Sequence, residues 1–129
     1  MLPFQVNIAP GQPITDQIVF AAVRAILSGE LPIGSPFPSV RAIAADLQVH
    51  PNTAMKVTQR LIAEGWLVSR PGIGTLVATP PEARQSDRAR LLDLDVEKLA
   101  VEALRVGLTL EELVAAIRER WAELKGGQA

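Results

Sequence analysis

The eleven residues "LQVHPNTAMKV", Leu47 to Val57, decide how this chain is read. A proline stands directly before Asn-Thr, inside a run that otherwise looks helical. Proline fixes φ and has no N–H, so it suits the first position of a helix and no later one. One helix therefore closes near Leu47, "LQVHP" turns the chain, and a second helix opens at Pro51. Its tip carries Asn52 and Thr53, with Lys56 one turn further on. Val57 and Leu61 fall on another face, which enters the core. The polar tip is either helix-start chemistry or a surface held out to a partner.

Upstream, residues 1–12 read as extended, with a turn at Pro10-Gly11. Pro13 suits a first helical position. From Ile14 the apolar residues Ile18, Val19, Ala22, Ile26 and Leu27 recur every three to four positions, which predicts a helix. Ser28-Gly29 ends it, since glycine accepts the left-handed conformation of a helix end. "ELPIGSPFP" has three prolines and a glycine and reads as a loop. Ser39 is a good N-cap for the helix before the turn, whose apolar face is Val40, Ile43, Ala44 and Leu47. The order is thus helix, loop, helix, short turn, helix.

Downstream, the third helix runs to about Glu64 and stops at Gly65. Two β-prone runs, Trp66 to Ser69 and Thr75 to Ala78, flank "RPGIG" and predict a hairpin with a glycine-rich tip. Pro80-Pro81 opens a linker. "DRARLLDLDVEKLAVEALRVG" has few breakers and predicts one helix ending at Gly107. "TLEE" from Thr109 is a capping box, with reciprocal bonds expected between Thr109 and Glu112. The last helix carries Leu113, Ala116, Ile117 and Trp121 on one stripe, and "KGGQA" is expected to fray. The chain divides into residues 1–79 and 80–129.

Composition removes several classes of function. The 129 residues are about half apolar and a fifth charged, the balance of a globular protein. There is no cysteine and a single histidine, His50, so thiol chemistry, Cys-based or His-rich metal sites and two-histidine catalysis are excluded. No cofactor or metal is expected. Asp93, Asp95 and Glu97 read as a solvated helix face, and "GIG" is too short for a nucleotide loop. The N-terminus lacks the basic and apolar regions of a signal peptide, and the expected location is the cytoplasm. Net charge is −1, with five cations against four carboxylates up to Thr79. A nucleic-acid surface here depends on placing a few cations on one face.

Helix, turn, helix and hairpin follow one another as in a winged helix-turn-helix. Five ordered motifs sharpen this: Leu31-Pro32-Ile33-Gly34, Pro38-Ser39-Val40-Arg41, Pro51-Asn52-Thr53, Glu64-Gly65-Trp66, and Arg70-Pro71-Gly72-Ile73-Gly74-Thr75. Together they resemble the DNA-binding domain of the GntR family of bacterial repressors, over about Pro13 to Ala78. "VHPNT" and the short helical tail resemble its YtrA subfamily, which has only two helices after the wing. His50 and Pro51 depart from residues common in the family at those places.

The resemblance implies a homodimeric repressor on double-stranded DNA with a palindromic operator, in genes of an ABC-transporter type. It leaves room for a small-molecule effector and names none. The DNA-contacting residues are expected to be Ser39, Arg41, His50, Asn52, Thr53, Lys56, Arg70, Gly72, Gly74 and Thr75. The free amides at the start of the third helix suit a phosphate. Arg41 lies in the first turn of its helix, where a cation is electrostatically unfavourable and a phosphate would explain it. His50 also reads as a cap or turn residue, Arg60 as a solvated cation and Met55 as a filler. Leu92, Leu99 and Val106, spaced by seven, and Leu113, Ile117 and Trp121 are expected to form a dimer interface. The rival is a winged module that binds protein and not DNA.

Overall fold

The computed structural model describes residues 1–126, in two compact units, Met1–Pro81 and Glu82–Gly126. The first unit contains α1 (Ile14–Ser28), α2 (Val40–Leu47), α3 (Pro51–Ala63) and an antiparallel hairpin of β1 (Leu67–Arg70) and β2 (Gly74–Val77). Mostly helical, with a two-stranded wing, it has the fold class the motifs predict. No helix among the described residues is long and apolar enough to cross a membrane.

One core holds the first unit together. Ile18, Val19, Ala22, Ala25 and Ile26 of α1, Ile43 of α2, and Ala54, Val57 and Leu61 of α3 are buried with Leu67 and Val77 of the hairpin. Fully burying the valine, leucine and isoleucine side chains among them contributes roughly 1.5–3 kcal/mol each. Leu27, expected on the core stripe, is exposed, and Ala25 takes the place at the helix's end. The N-terminal arm is more than an extended lead. Phe4 is buried and stacks on Phe37, with ring centroids 5.8 Å apart. The Gln17 side chain clasps the arm: Oε1 accepts from the Ala9 N–H at 2.7 Å and Nε2 donates to the Ala9 carbonyl at 2.9 Å.

Two boundaries differ from expectation. Pro13 is the N-cap of α1, with its carbonyl accepting from the Gln17 N–H at 3.2 Å. The strands sit one residue off the predicted runs, because Arg70 pairs with Gly74 and the turn is only Pro71-Gly72-Ile73. The proline-rich loop is also more ordered than its composition suggests. Its Gly34 and Phe37 amides donate to the carbonyls of Val77 and Thr75, each at 2.8 Å, and Ser35 accepts from the Val77 N–H at 2.9 Å. Prolines 32, 36 and 38 remove three donors, yet the intervening residues retain theirs and form a short third rung on β2.

The second unit contains α4 (Gln85–Arg90), a π-helical turn (Leu91–Asp95), α5 (Val96–Arg105) and α6 (Leu110–Gly126). The helix expected there runs without a break from residue 85 to residue 105, with the π turn inside it. The turn breaks the seven-residue register between Leu92 and Leu99, and Val106 stands just past the end of α5 as its C-cap. Gly107 ends α5 with φ +80°. Thr109 caps α6 through a bond from the Glu112 N–H to its Oγ1 at 3.1 Å. Among the described residues the reciprocal bond to the Glu112 carboxylate is not made. α6 continues through Gly126, past the expected fraying point, and the rest of "KGGQA", residues 127–129, lies outside the described residues.

Gly65 joins α3 to the wing with φ +88°, and a Cβ there would stand 3.4 Å from the Pro81 Cβ. Gly65→Ala should destabilise the first unit by about 1–2 kcal/mol, the cost of a left-handed L-residue. Urea denaturation measures it, and an unchanged midpoint with unchanged slope would contradict the assignment.

Candidate nucleic-acid interface

Burial of one face of α3 leaves the other to solvent. Ala54, Val57, Thr58 and Leu61 are buried, and the Thr58 hydroxyl is satisfied by donating to the Ala54 carbonyl at 3.2 Å. The opposite stripe is Asn52, Met55, Lys56 and Gln59, all exposed. Those positions follow i, i+3, i+4, i+7, the spacing of one helix face. Met55 is 46% exposed, so it belongs to this surface and is not a filler. Gln59 was legible from the same spacing, counted from Asn52. Thr53 is only half-buried and stands at the edge of the stripe.

The start of α3 is closed more completely than its sequence suggests. Pro51 has no N–H. The His50 Nδ1 accepts from the Asn52 N–H at 3.0 Å, and the His50 carbonyl accepts from the N–H groups of Thr53 and Ala54 at 2.9 and 3.2 Å. The first-turn amides expected to meet a phosphate are thus engaged within the helix. What remains at the tip is the helix dipole, the side chains of Asn52 and Lys56, and the imidazole edge of His50. The cap needs a lone pair on Nδ1, so the ring proton sits on Nε2, which is left as a donor. His50 is therefore a cap, and its outer nitrogen is available to a partner as well.

The helix-turn-helix corner contains a second special position. Gln48 is the only described non-glycine residue with positive φ, +54°, and it closes α2 while the Val49 N–H donates to the Ala44 carbonyl at 3.1 Å. It is exposed, four residues before Asn52. Nothing in the sequence pattern singles it out, since glutamine is uncommon in that conformation. At the other end of α2 the Ser39 Oγ accepts from the Ala42 N–H at 3.1 Å, fixing the helix start beside exposed Arg41.

The wing is tied to this surface through the backbone. The Phe37 N–H reaches the Thr75 carbonyl two residues before Ser39, so β2 and the start of α2 are neighbours. Arg70 is exposed at the end of β1, and Thr75 is half-buried in the ladder. Gly72 and Gly74 have φ +77° and +119°, and a Cβ on either would meet nothing within 4 Å. They are required by the turn's backbone, and they also leave the tip slim.

Charge sorts the cations. Arg60 Nη1 donates to Asp16 Oδ1 of α1 at 2.6 Å, and its Nε to Glu64 Oε2 at 3.2 Å. Asp16, then Glu64, holds the Arg60 guanidinium above its ordinary value. Arg60 is thus a clasp between α1 and α3, not a free solvated cation. Among the described residues, Arg41, Lys56 and Arg70 make no ion pair. In the second unit Leu92, Leu99, Val106, Ile117 and Trp121 are exposed and Leu113 is half-buried.

His50→Ala should cost about 1 kcal/mol of stability, the usual worth of an N-cap. Nitrogen-15 spectra of the imidazole at alkaline pH should show Nδ1 bare and Nε2 protonated. The opposite tautomer would contradict the cap.

Comparison with known proteins agrees with this architecture. Residues 14–77 match the family described as bacterial regulatory proteins, gntR family. The chain is 28% identical over 125 residues to the HTH-type transcriptional repressor YtrA of Bacillus subtilis (strain 168), covering 96% of each. It is 31% identical over 105 residues to the uncharacterized HTH-type transcriptional regulator YhcF of the same organism, covering 81% of this chain and 84% of that one. A solved structure described as a transcriptional antiterminator from Listeria monocytogenes EGD-e superposes with a TM-score of 0.78, over 95% of this chain and 92% of that one at 23% identity, which shows a shared fold. Its winged helix-turn-helix, the family motifs on it and these similarities place the chain in the gntR family of bacterial regulatory proteins.

Proposed function

We propose that this chain is a sequence-specific transcriptional repressor that binds a palindromic operator as a homodimer. Regulators of its family bind DNA, and the site's geometry supports the finer reading. The observation that carries it is the exposed α3 stripe, Asn52, Met55, Lys56 and Gln59, together with exposed Arg41 and Arg70, which have no ion-pair partners among the described residues. An α-helix fits the major groove. Asn52 suits adenine, whose N7 can accept from its amide while the N6 amino group donates to its Oδ1, and Thr53 at the margin suits a thymine methyl. Arg41, Lys56 and the His50 Nε2–H suit phosphates, which position the protein without reading sequence. The wing, with Arg70, Gly72, Gly74 and Thr75, fits the adjacent minor groove.

The second unit supports the dimer. Among its described residues only Ala103 is buried, while Leu99, Leu104, Val106, Ile117 and Trp121 are 44–76% exposed. Large apolar side chains exposed in this number suit a face that a partner covers. A second copy offers the same faces, the self-complementary arrangement of a two-fold dimer. Two half-sites also multiply the few phosphate contacts that each module can make. Residues 1–79 then form the DNA-binding domain and 80–129 the dimerisation segment. The repressor works in the cytoplasm, where its operator is. Its likeness to the YtrA subfamily favours ABC-transporter genes as its target.

Arg41→Ala should weaken binding to all sequences alike and lower the slope of log K against log salt by about one unit. Asn52→Ala should cost on the order of 1–3 kcal/mol on the operator and much less on random DNA. Equal losses on both duplexes would reassign Asn52 to backbone contact. A chain ending at Pro81 keeps the whole core of the first unit and should be a folded monomer by light scattering, against a full-length dimer at micromolar concentration. A monomeric full-length chain would remove the dimer.

A further inference from the structure

The tip of the wing is Pro71-Gly72-Ile73, all exposed, with Ile73 at 73%. From Leu67 to Val77 the only charged residue is Arg70. A hairpin that met DNA mainly through phosphates would need donors at its apex, and this one has few. Pro71 has no N–H, and the Ile73 N–H is engaged by the Arg70 carbonyl at 3.0 Å. The apex therefore presents a pyrrolidine ring and a β-branched side chain on a turn held by two left-handed glycines. Single exposed apolar residues are common on protein surfaces. This one differs in its setting: it stands at the end of a narrow arm, three residues from an unpaired cation. The arm is joined by the Phe37–Thr75 bond to the start of α2. Ile73 has no part in the buried core of the first unit.

We propose that Ile73 is an apolar wedge that enters the minor groove beside the major groove that α3 occupies and bends the DNA at the base step it enters. This rests on the DNA-binding reading above and adds a second mode of sequence discrimination to it. Isoleucine is one of the side chains able to unstack a base step from the minor groove. Arg70 at the foot of the tip supplies the cation that the groove's negative potential attracts. The wedge reads deformability and makes no hydrogen bond. Pyrimidine–purine steps open most easily, so the step beneath the wing should be TA or CA in preferred sites. Asn52 would then read base edges while Ile73 reads stiffness a few base pairs away.

The test uses the full-length chain and a duplex that this chain selects from a random-sequence pool, labelled at both ends for energy transfer. The wild-type complex should be bent by roughly 20–90°, the range of minor-groove wedges. Ile73→Ala should bind the same duplex with less than half that bend and lose its preference for TA over AA at the wing step. Ile73→Met should keep both. The side chain is in solvent, so neither variant threatens the fold, and thermal melts check this. An unchanged bend in Ile73→Ala overturns the wedge, as does a selected duplex that stays straight with the wild-type chain. A wild-type chain that selects no duplex at all removes the DNA-binding reading and the wedge together.

Discussion

The two-sidedness of α3 governs everything else in the first unit. Ala54, Val57, Thr58 and Leu61 are fixed in the core against α1 and α2, which leaves Asn52, Met55, Lys56 and Gln59 no direction but outward. A thirteen-residue helix is marginal alone, so its stability comes from that buried face. Rotation of α3 would expose Val57 and Leu61, and the same packing that stabilises the fold therefore orients the outer stripe. Arg60 secures the rotation from the rim through Asp16 of α1. Both partners are substantially exposed, so the pair orients more than it stabilises.

Pro51 and His50 solve the problem of starting such a helix at an exposed corner. Proline removes one orphan donor, and the imidazole and carbonyl of His50 take the next three. Few bare amides remain for an anion there, so a phosphate contact at this tip would have to come from side chains. That division suits a helix whose tip must be both rigid and chemically selective. The wing follows the same logic in another form. Its backbone is fixed by the ladder with β2 and by the rung from the 34–37 loop, while its apex holds almost no hydrogen-bonding capacity.

Local signals were legible in the sequence and long-range ones were not. The helix periods, the Ser39 and Thr109 caps, Pro51 at a helix start and the glycine stops at 29, 65 and 107 all act within a few residues, and each is seen in the structure. Phe4 stacking on Phe37, Gln17 clasping Ala9 and Asp16 pairing with Arg60 join segments that no periodicity links. The stretch with three prolines was legible as a loop, but composition counts lost donors and cannot show which carbonyls the Gly34 and Phe37 amides reach. The π turn at Leu91–Asp95 has no breaker to announce it, and it misaligns the Leu92 spacing that looked regular. On the candidate surface, the exposure of Asn52 and Lys56 follows from the helix start, whereas Gln48 depends on a left-handed backbone that its side chain does not signal.

On the proposed reading, two copies of the α3 stripe lie in successive major grooves of one duplex. Hydroxyl-radical footprinting of the full-length chain on a duplex it has selected tests this most directly. Two equivalent protected patches, related by a two-fold axis and centred about one helical turn or a whole multiple apart, are the predicted result. One protected patch only, or two patches at a spacing that puts them on opposite faces of the duplex, would contradict it.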